Sequence, residues 1–363
     1  MHVLFALPGL HRVSRGAEVV FESVAEQIAR NGIHKVTLVG SGSPRPRCSY
    51  DFQRIPAVFR DHFEGWPKPP FFRSGFMYEE ATFAAGMLMY GVPDADITVT
   101  CSYPYVNWAL RLTRSGKRPP HIFVTQNGDW PATGGAGESR FFSCEGLICT
   151  NPLYFKRNRE RWRSTLIPNG IDPGRFHPGP DARKEFGFPA DRLVVLMVSA
   201  LEPGKRVLEA MRAVAAVPEA FLVVAGDGVL RSEVDRLAAE KLPGRFMRNT
   251  FSRELMPKLY RSADLFLHTK IRESFGNVYI EALSSGIPIV AHDDEVTRWI
   301  LGERAVLVDT TSQTILSRTI EDALSLRVAD RTEAVAWAHD TYSWAVVAKK
   351  YADFFKTILE ANA

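Results

Sequence analysis

The stretch RESFGNVYIEALSSGIPIV, residues 272–290, sets two carboxylates, Glu273 and Glu281, eight positions apart around Gly276. A helical pattern over 276–285 follows, closed by Gly286 and Pro288. The start of such a helix leaves unpaired N–H groups and a partial positive charge, a natural seat for phosphate. Gly276 lets a ligand approach the backbone. Glu281 stands about 7.5 Å further along the axis, at ~1.5 Å per residue. An ionised carboxylate is an acceptor with two oxygens, which suits a vicinal diol. One glutamate can hold a sugar, the helix start a diphosphate and the other glutamate a ribose, which is the layout of a nucleotide-sugar. The plainer alternative makes Glu273 a loop-to-helix capping acid and Glu281 a helix-surface charge.

Other residues offer related chemistry. In VSALEPGKR (198–206), Lys205 follows a strand and a glycine turn, where a lysine reaches a phosphate or simply stays solvated. VSRGAEVVFESVAEQIARNG places Gly16 at a strand-to-helix turn, as a phosphate-side glycine or an ordinary loop residue. FLVVAGDGVLR and GSGSPR begin like dinucleotide fingerprints, but Arg231 and Arg45 occupy the third glycine position and a nicotinamide site fails. HDDE (292–295) reads as solvated charge, since consecutive loop residues seldom converge on one ion.

These residues need strands and helices to position them. VLFAL (3–7), KVTLVG (35–40), DITVTC (96–101), HIFVTQ (121–126) and GLICTN (146–151) are apolar runs separated by amphipathic segments such as 18–30. TLIPNGIDPGRFHPGPD (165–181), dense in proline and glycine, reads as a crossover. The pattern then restarts, with strands at 192–200, 221–226, 264–269, 288–292 and 305–309 and helices at 207–217, 230–241 and 276–285. The alternation implies two parallel α/β sheets covered on both faces, with ligands beyond the strands' carboxyl ends, by default in a cleft between domains. The segment 342–359 has an amphipathic helical pattern.

At 363 residues the chain is long enough for two domains. No apolar run reaches the ~18 residues of a membrane span. The N-terminus MHVLFALPGL lacks a basic leader and reads as a buried strand. Four cysteines (Cys48, Cys101, Cys144, Cys149) without a CxxC pair point to a reducing cytoplasm. Residues 1–165 carry 20 basic and 14 acidic side chains, residues 166–363 25 and 27. Five of the bases lie in KRNRERWR (156–163), a solvated helix face or, in the sharper reading, a contact for anionic lipid head groups on the cytoplasmic face of a membrane. No basic–aromatic interleaving suits nucleic acid.

Glu273-Ser274-Phe275-Gly276 followed by EALSSGIP (281–288) resembles the signature of glycosyltransferase family 4, retaining group 1 enzymes of GT-B fold. IPNGID (167–172), VSALEPGK (198–205), VVAGDGVLR (223–231), LYRSADLFLH (259–268) and YSWAVVAKKYADFF (342–355) fall in that family's order. The resemblance covers about 165–359 well and the N-terminal half mainly through the Gly16 turn. It implies two Rossmann-like domains, 1–165 on the acceptor side and 166–341 on the nucleotide-sugar side, with 342–363 packing back on the first.

By the same resemblance, Glu281 binds the ribose, and Glu273 faces the donor sugar with the backbone of Phe275, Gly276 and Asn277. Lys205 neutralises the diphosphate, Gly16 lets a loop near the phosphates, and Arg248–Phe251 lies beside the base. Two departures stand out. Ala200 takes the place of a phosphate-binding arginine, with Arg15 and Arg206 as substitutes. Gln126, Asn127 and Asp129 stand where many members carry a histidine. Gln126 or Asn127 can hydrogen-bond a sugar, and Asp129 can act as a base or cap a turn. Asp94-x-Asp96 matches the metal motif of the other major glycosyltransferase fold by chance. The expectation is retaining sugar transfer from a nucleotide-diphosphate sugar to a glycan, lipid-linked or small-molecule hydroxyl, without metal or cofactor. The alternatives are an epimerase of the same fold or a non-catalytic nucleotide-sugar-binding protein.

Overall fold

The computed structural model describes residues 1–30, 32–112, 118–135, 137–325 and 331–362. The chain divides into two compact units, one of Met1–Asn169 with Trp344–Ala363, the other of Gly170–Ser343.

Unit 1 holds a seven-stranded sheet: β1 His2–Ala6, β2 Lys35–Gly40, β3 Asp51–Arg54, β4 Ile97–Thr100, β5 His121–Val124, β6 Gly146–Cys149 and β7 Ser164–Leu166. Its order is β3-β2-β1-β4-β5-β6-β7, with every pairing parallel. On one face the Gly16–Ala29 helix sends Phe21 and Val24 onto Val3 and Phe5, where the final helix, Trp344–Glu360, adds Val347, Tyr351, Phe355 and Ile358. The Phe5 ring meets Phe21 edge-on at 5.1 Å and Phe355 at 6.2 Å. Each such ring contributes about 1.5–3 kcal/mol by leaving water. The other face packs Phe83 and Met87 of the Gly75–Tyr90 helix, and Val106 and Leu110 of Tyr105–Leu112, on Leu4, Ala6 and Val39.

Unit 2 repeats the design with six parallel strands: β8 Leu193–Val198, β9 Ala220–Ala225, β10 Phe246–Asn249, β11 Leu265–His268, β12 Ile289–His292 and β13 Val306–Val308. They are ordered β10-β9-β8-β11-β12-β13. Two apolar clusters cover its faces. The strand order reverses at β1/β4 in unit 1 and at β8/β11 in unit 2, the switch points at which open sheets take their ligands.

The glycines of GDG serve packing. A Cβ on Gly226 would stand 2.0 Å from the Ser199 carbonyl oxygen, and one on Gly228 2.6 Å from that of Leu201. Both have positive φ, so no side chain fits there, and the loop after β9 lies directly on the loop after β8.

Three strands, β3, β7 and β10, fall outside the sequence expectation. Each lies at a sheet edge, and none is a continuous apolar run. The 165/166 boundary falls inside β7, which pairs with β6, so unit 1 extends to Asn169. The last helix begins at Trp344, not 342. Tyr342 closes a separate helix, Thr332–Tyr342, inside unit 2, where its hydroxyl donates to the Ile300 carbonyl at 2.9 Å. Ser343 bridges in parallel to Ile171.

Candidate functional site

A dense charged cluster of unit 2 lies beyond the carboxyl ends of β8 and β11. Lys205 ends the short turn Pro203–Lys205 after β8. Glu273 lies in the loop after β11, before the Asn277–Ser284 helix. The two are paired, Lys205 Nζ to Glu273 Oε2 at 3.0 Å. Lys270 Nζ meets the other oxygen, Oε1, at 3.0 Å, and the Ser274 N–H donates to the same atom at 3.2 Å. His268, the last residue of β11, comes within 3.4 Å of Oε2. Thr269, fully buried, donates its hydroxyl to the Arg206 carbonyl at 3.0 Å and so ties the turn after β8 to the end of β11.

Burial alone would raise the Glu273 pKa. The His268 hydrogen bond and the two ammonium charges outweigh it and hold the carboxyl well below the ordinary glutamate range. The His268 pKa is lowered as well, chiefly by burial, against the opposing pull of the Glu273 carboxylate. Its Nδ1 is buried without a hydrogen-bond partner among the described residues.

Gly276 caps the following helix with φ +77°, and a Cβ there would press on the Tyr279 ring at 2.7 Å and Glu273 Cγ at 2.9 Å. The fold therefore requires glycine at that helix start. Asn277 is the first helical residue, while the Phe275 ring is buried against Trp299 and Tyr342, leaving only its backbone for a ligand. Glu281 is no surface charge. Burial raises its pKa against the hydrogen bond that its Oε2 accepts from the Tyr260 hydroxyl at 2.8 Å. Arg248 grips Asp235 with two contacts of 2.9 Å. Phe251 packs edge-on against Phe186.

Ala200 is exposed and brings no charge. Arg206 sends its Nη2 to the Thr310 carbonyl at 3.3 Å and holds its Nη1 3.9 Å from Glu209, while its buried Nε has no hydrogen-bond partner among the described residues. Lys270 and His268 are the site residues that sequence reasoning missed. A lysine three residues before the first glutamate was the available signal, and it reads as an ordinary loop charge.

In unit 1, Gly16 is the exposed first residue of its helix, one step inside the turn expected for it, and Arg15 caps the helix with no side-chain bond. Asn127 is exposed past the end of β5, its amide reaching the Cys101 carbonyl at 3.5 Å. Gln126 is engaged by Asn169 at 2.6 Å. Asp129 is a correction. It is buried, with Oδ1 taking Arg157 Nη2 at 2.9 Å and Oδ2 taking Asn158 Nδ2 at 2.9 Å. Its carboxylate braces the Trp130–Thr133 turn against the Pro152–Asn158 helix rather than standing free as a base.

Two doubly wound parallel sheets in one chain, with the last helix returned to the first sheet, define the GT-B class. Residues 180–338, all within unit 2, match the model of the glycosyl transferases group 1. The D-inositol 3-phosphate glycosyltransferase of Mycolicibacterium smegmatis is 35% identical over 144 residues, covering 37% of this chain and 33% of that enzyme. The match therefore spans about a third of the relative's length. The fold is shared end to end with sucrose-phosphate synthase from Thermosynechococcus elongatus (TM-score 0.78, 18% identity, 99% of both chains). It is shared likewise with HepE from Anabaena, solved with UDP and glucose (TM-score 0.72, 17% identity, 98% and 99% covered).

Proposed function

We propose that the chain transfers a sugar from a nucleoside-diphosphate donor to an acceptor hydroxyl, with retention at the anomeric carbon. The observation that carries this reading is the Lys205–Glu273–Lys270 cluster at the switch point of unit 2, one turn from a glycine-capped helix start. As the glycosidic bond breaks, negative charge grows on the leaving diphosphate, and ammonium groups and helix N–H groups placed there stabilise it. Lys205 contacts the diphosphate, Glu281 the ribose diol, and the backbone at Phe275, Gly276 and Asn277 the phosphate or donor sugar. Gly16 and Asn127 are the unit 1 candidates for donor or acceptor contact.

Glu273 is flanked by cations on both oxygens, which makes it a poor nucleophile and a poor metal ligand. A double displacement through it is therefore disfavoured against same-face attack, in which the leaving phosphate takes the acceptor's proton. The same cations supply charge neutralisation without a metal or cofactor. A panel of nucleotide-sugars, read as free nucleoside diphosphate, tests the reading. Release that requires acceptor supports transfer. Release without acceptor supports an epimerase or hydrolase, and binding without release a non-catalytic binding protein. A sequence relative that is a glycosyltransferase and a structural neighbour solved with UDP and glucose both support a nucleotide-sugar donor.

Glu281→Ala is expected to weaken nucleoside-diphosphate binding by about 1.5–3 kcal/mol, the scale of hydrogen bonds to a charged group. It should also lower stability by about 1–3 kcal/mol, because the buried Tyr260 hydroxyl loses its acceptor. Calorimetry and thermal unfolding separate the two. Unchanged affinity in a destabilised variant would leave Glu281 a structural residue.

The acceptor side also carries the proposed membrane contact. Arg159, Arg161 and Arg163 are exposed, as are Trp130, Phe141 and Leu153 of the same unit. Among the described residues no helix is long and apolar enough to cross a membrane, so any contact is at the surface. Co-sedimentation with vesicles containing anionic phospholipid should exceed that with neutral vesicles and fall with salt. Equal recovery with both would remove the contact.

A further inference from the structure

Glu273 carries one negative charge yet faces two ammonium groups, Lys205 on Oε2 and Lys270 on Oε1, both at 3.0 Å. One lysine neutralises a carboxylate. A second, held with its side chain 24% exposed, gives up rotamer freedom and leaves the trio with a surplus positive charge. That surplus has a defined place. Lys205 follows β8 and Lys270 follows β11, the adjacent strands at which the order of the sheet reverses. Thr269 fixes their backbones together, with its hydroxyl on the carbonyls of Lys205 and Arg206 at 3.3 and 3.0 Å. Arg206 turns its Nη atoms to the Thr310 carbonyl and Glu209, at 3.3 and 3.9 Å, and Ala200 has no charge to give. His268 sets its Nε2 3.4 Å from the same carboxylate, and its buried Nδ1 has no hydrogen-bond partner among the described residues.

We propose that Lys270 is a second phosphate-binding residue, clamping the donor's diphosphate together with Lys205 while Glu273 orients both ammonium groups. This rests on the functional reading above and adds a residue to its site. A compact ammonium binds phosphate as a point charge, so two lysines from two turns can each meet one phosphate group.

The test is calorimetry of the full chain with UDP, GDP, ADP and dTDP and with the matching nucleosides. Lys270→Met should weaken the bound nucleoside diphosphate about tenfold or more, the scale of a lost charge-assisted hydrogen bond, and leave the nucleoside unaffected. Lys270→Arg should retain most of the affinity. Should Lys270→Met fail to fold, Lys270→Gln repeats the measurement. A role exercised only through Glu273 is separated by the pair Glu273→Gln and Glu273→Gln/Lys270→Met: a phosphate contact still costs affinity in that background. Diphosphate affinity unchanged in Lys270→Met, or no further loss in the Glu273→Gln background, overturns the proposal and leaves the functional reading standing. A wild-type chain that binds none of the four diphosphates overturns both.

Discussion

Turnover of a nucleotide-sugar is expected to fall by roughly 10²-fold or more in Lys205→Ala, the effect of removing one preorganised electrostatic stabiliser. The lysine is held at both ends. Its backbone carbonyl is tied to Thr269, and its ammonium is aimed by Glu273 at 3.0 Å. Such preorganisation acts most where charge is greatest, on the departing oxygen, so kcat should drop more than donor affinity. Ala200→Arg should partly rescue the variant, because position 200 is exposed and an arginine there displaces no packed side chain. Kinetics of the two single variants and the double variant decide the matter. Near-normal turnover in Lys205→Ala would move the leaving-group contact to another cation and dissolve the phosphate assignment.

A second large effect is expected in the other unit. In unit 1, Glu79 and Glu80 of the Gly75–Tyr90 helix are both fully buried. Arg60 reaches Glu79 at 2.6 Å, but neither oxygen of Glu80 has a hydrogen-bond partner among the described residues. Burial pushes the Glu80 pKa up to about 8, with the Glu79 charge adding to it and nearby Ser102 and Arg60 opposing. At neutral pH the folded chain therefore keeps a proton that the unfolded chain, titrating at the ordinary 4.5, releases. The folded state binds more protons throughout that window, so stability falls as pH rises from about 4.5 to about 8.

Glu80→Gln, neutral at every pH and close in shape, removes this dependence. Its gain over the wild type should be small near pH 5 and grow to several kcal/mol by pH 8, at about 1.4 kcal/mol for each pH unit between the unfolded and folded pKa. Urea unfolding of both proteins across that range measures the difference. Parallel curves would mean that Glu80 is ionised and paired in the fold.

The central strands were legible because a strand buried on both faces must be apolar throughout, as LVVLMV and AFLVVA are. DFQR and FMRN escaped detection for the opposite reason: an edge strand has solvent on one side, and its polar residues look like loop. The glutamates of the site stood out through the helix between them. Lys270 did not, because a charge in a loop acquires meaning only from the residue it meets, and Lys205, its counterpart, is supplied by a different strand. Asp129 misled for a related reason. Sequence shows a carboxylate beside a glycine but not Arg157 and Asn158, which occupy it from a helix more than twenty residues further on.

The helix Trp344–Glu360 completes the apolar core of a unit whose strands end at Leu166. Made from the N-terminus on a ribosome, at roughly 5–20 residues per second, the first unit has all its strands long before its last core-forming segment exists. Phe5, Phe21 and Val24 must wait while the whole of the second unit is synthesised, although that unit's own stretch, Gly170–Ser343, is continuous. The order of birth is thus the reverse of the order of completion. A nascent chain halted just short of Trp344 would contain a finished second unit and a first unit with one face of its sheet covered only in part, by the Gly16–Ala29 helix, the part of the molecule that most needs protection from neighbouring chains during synthesis.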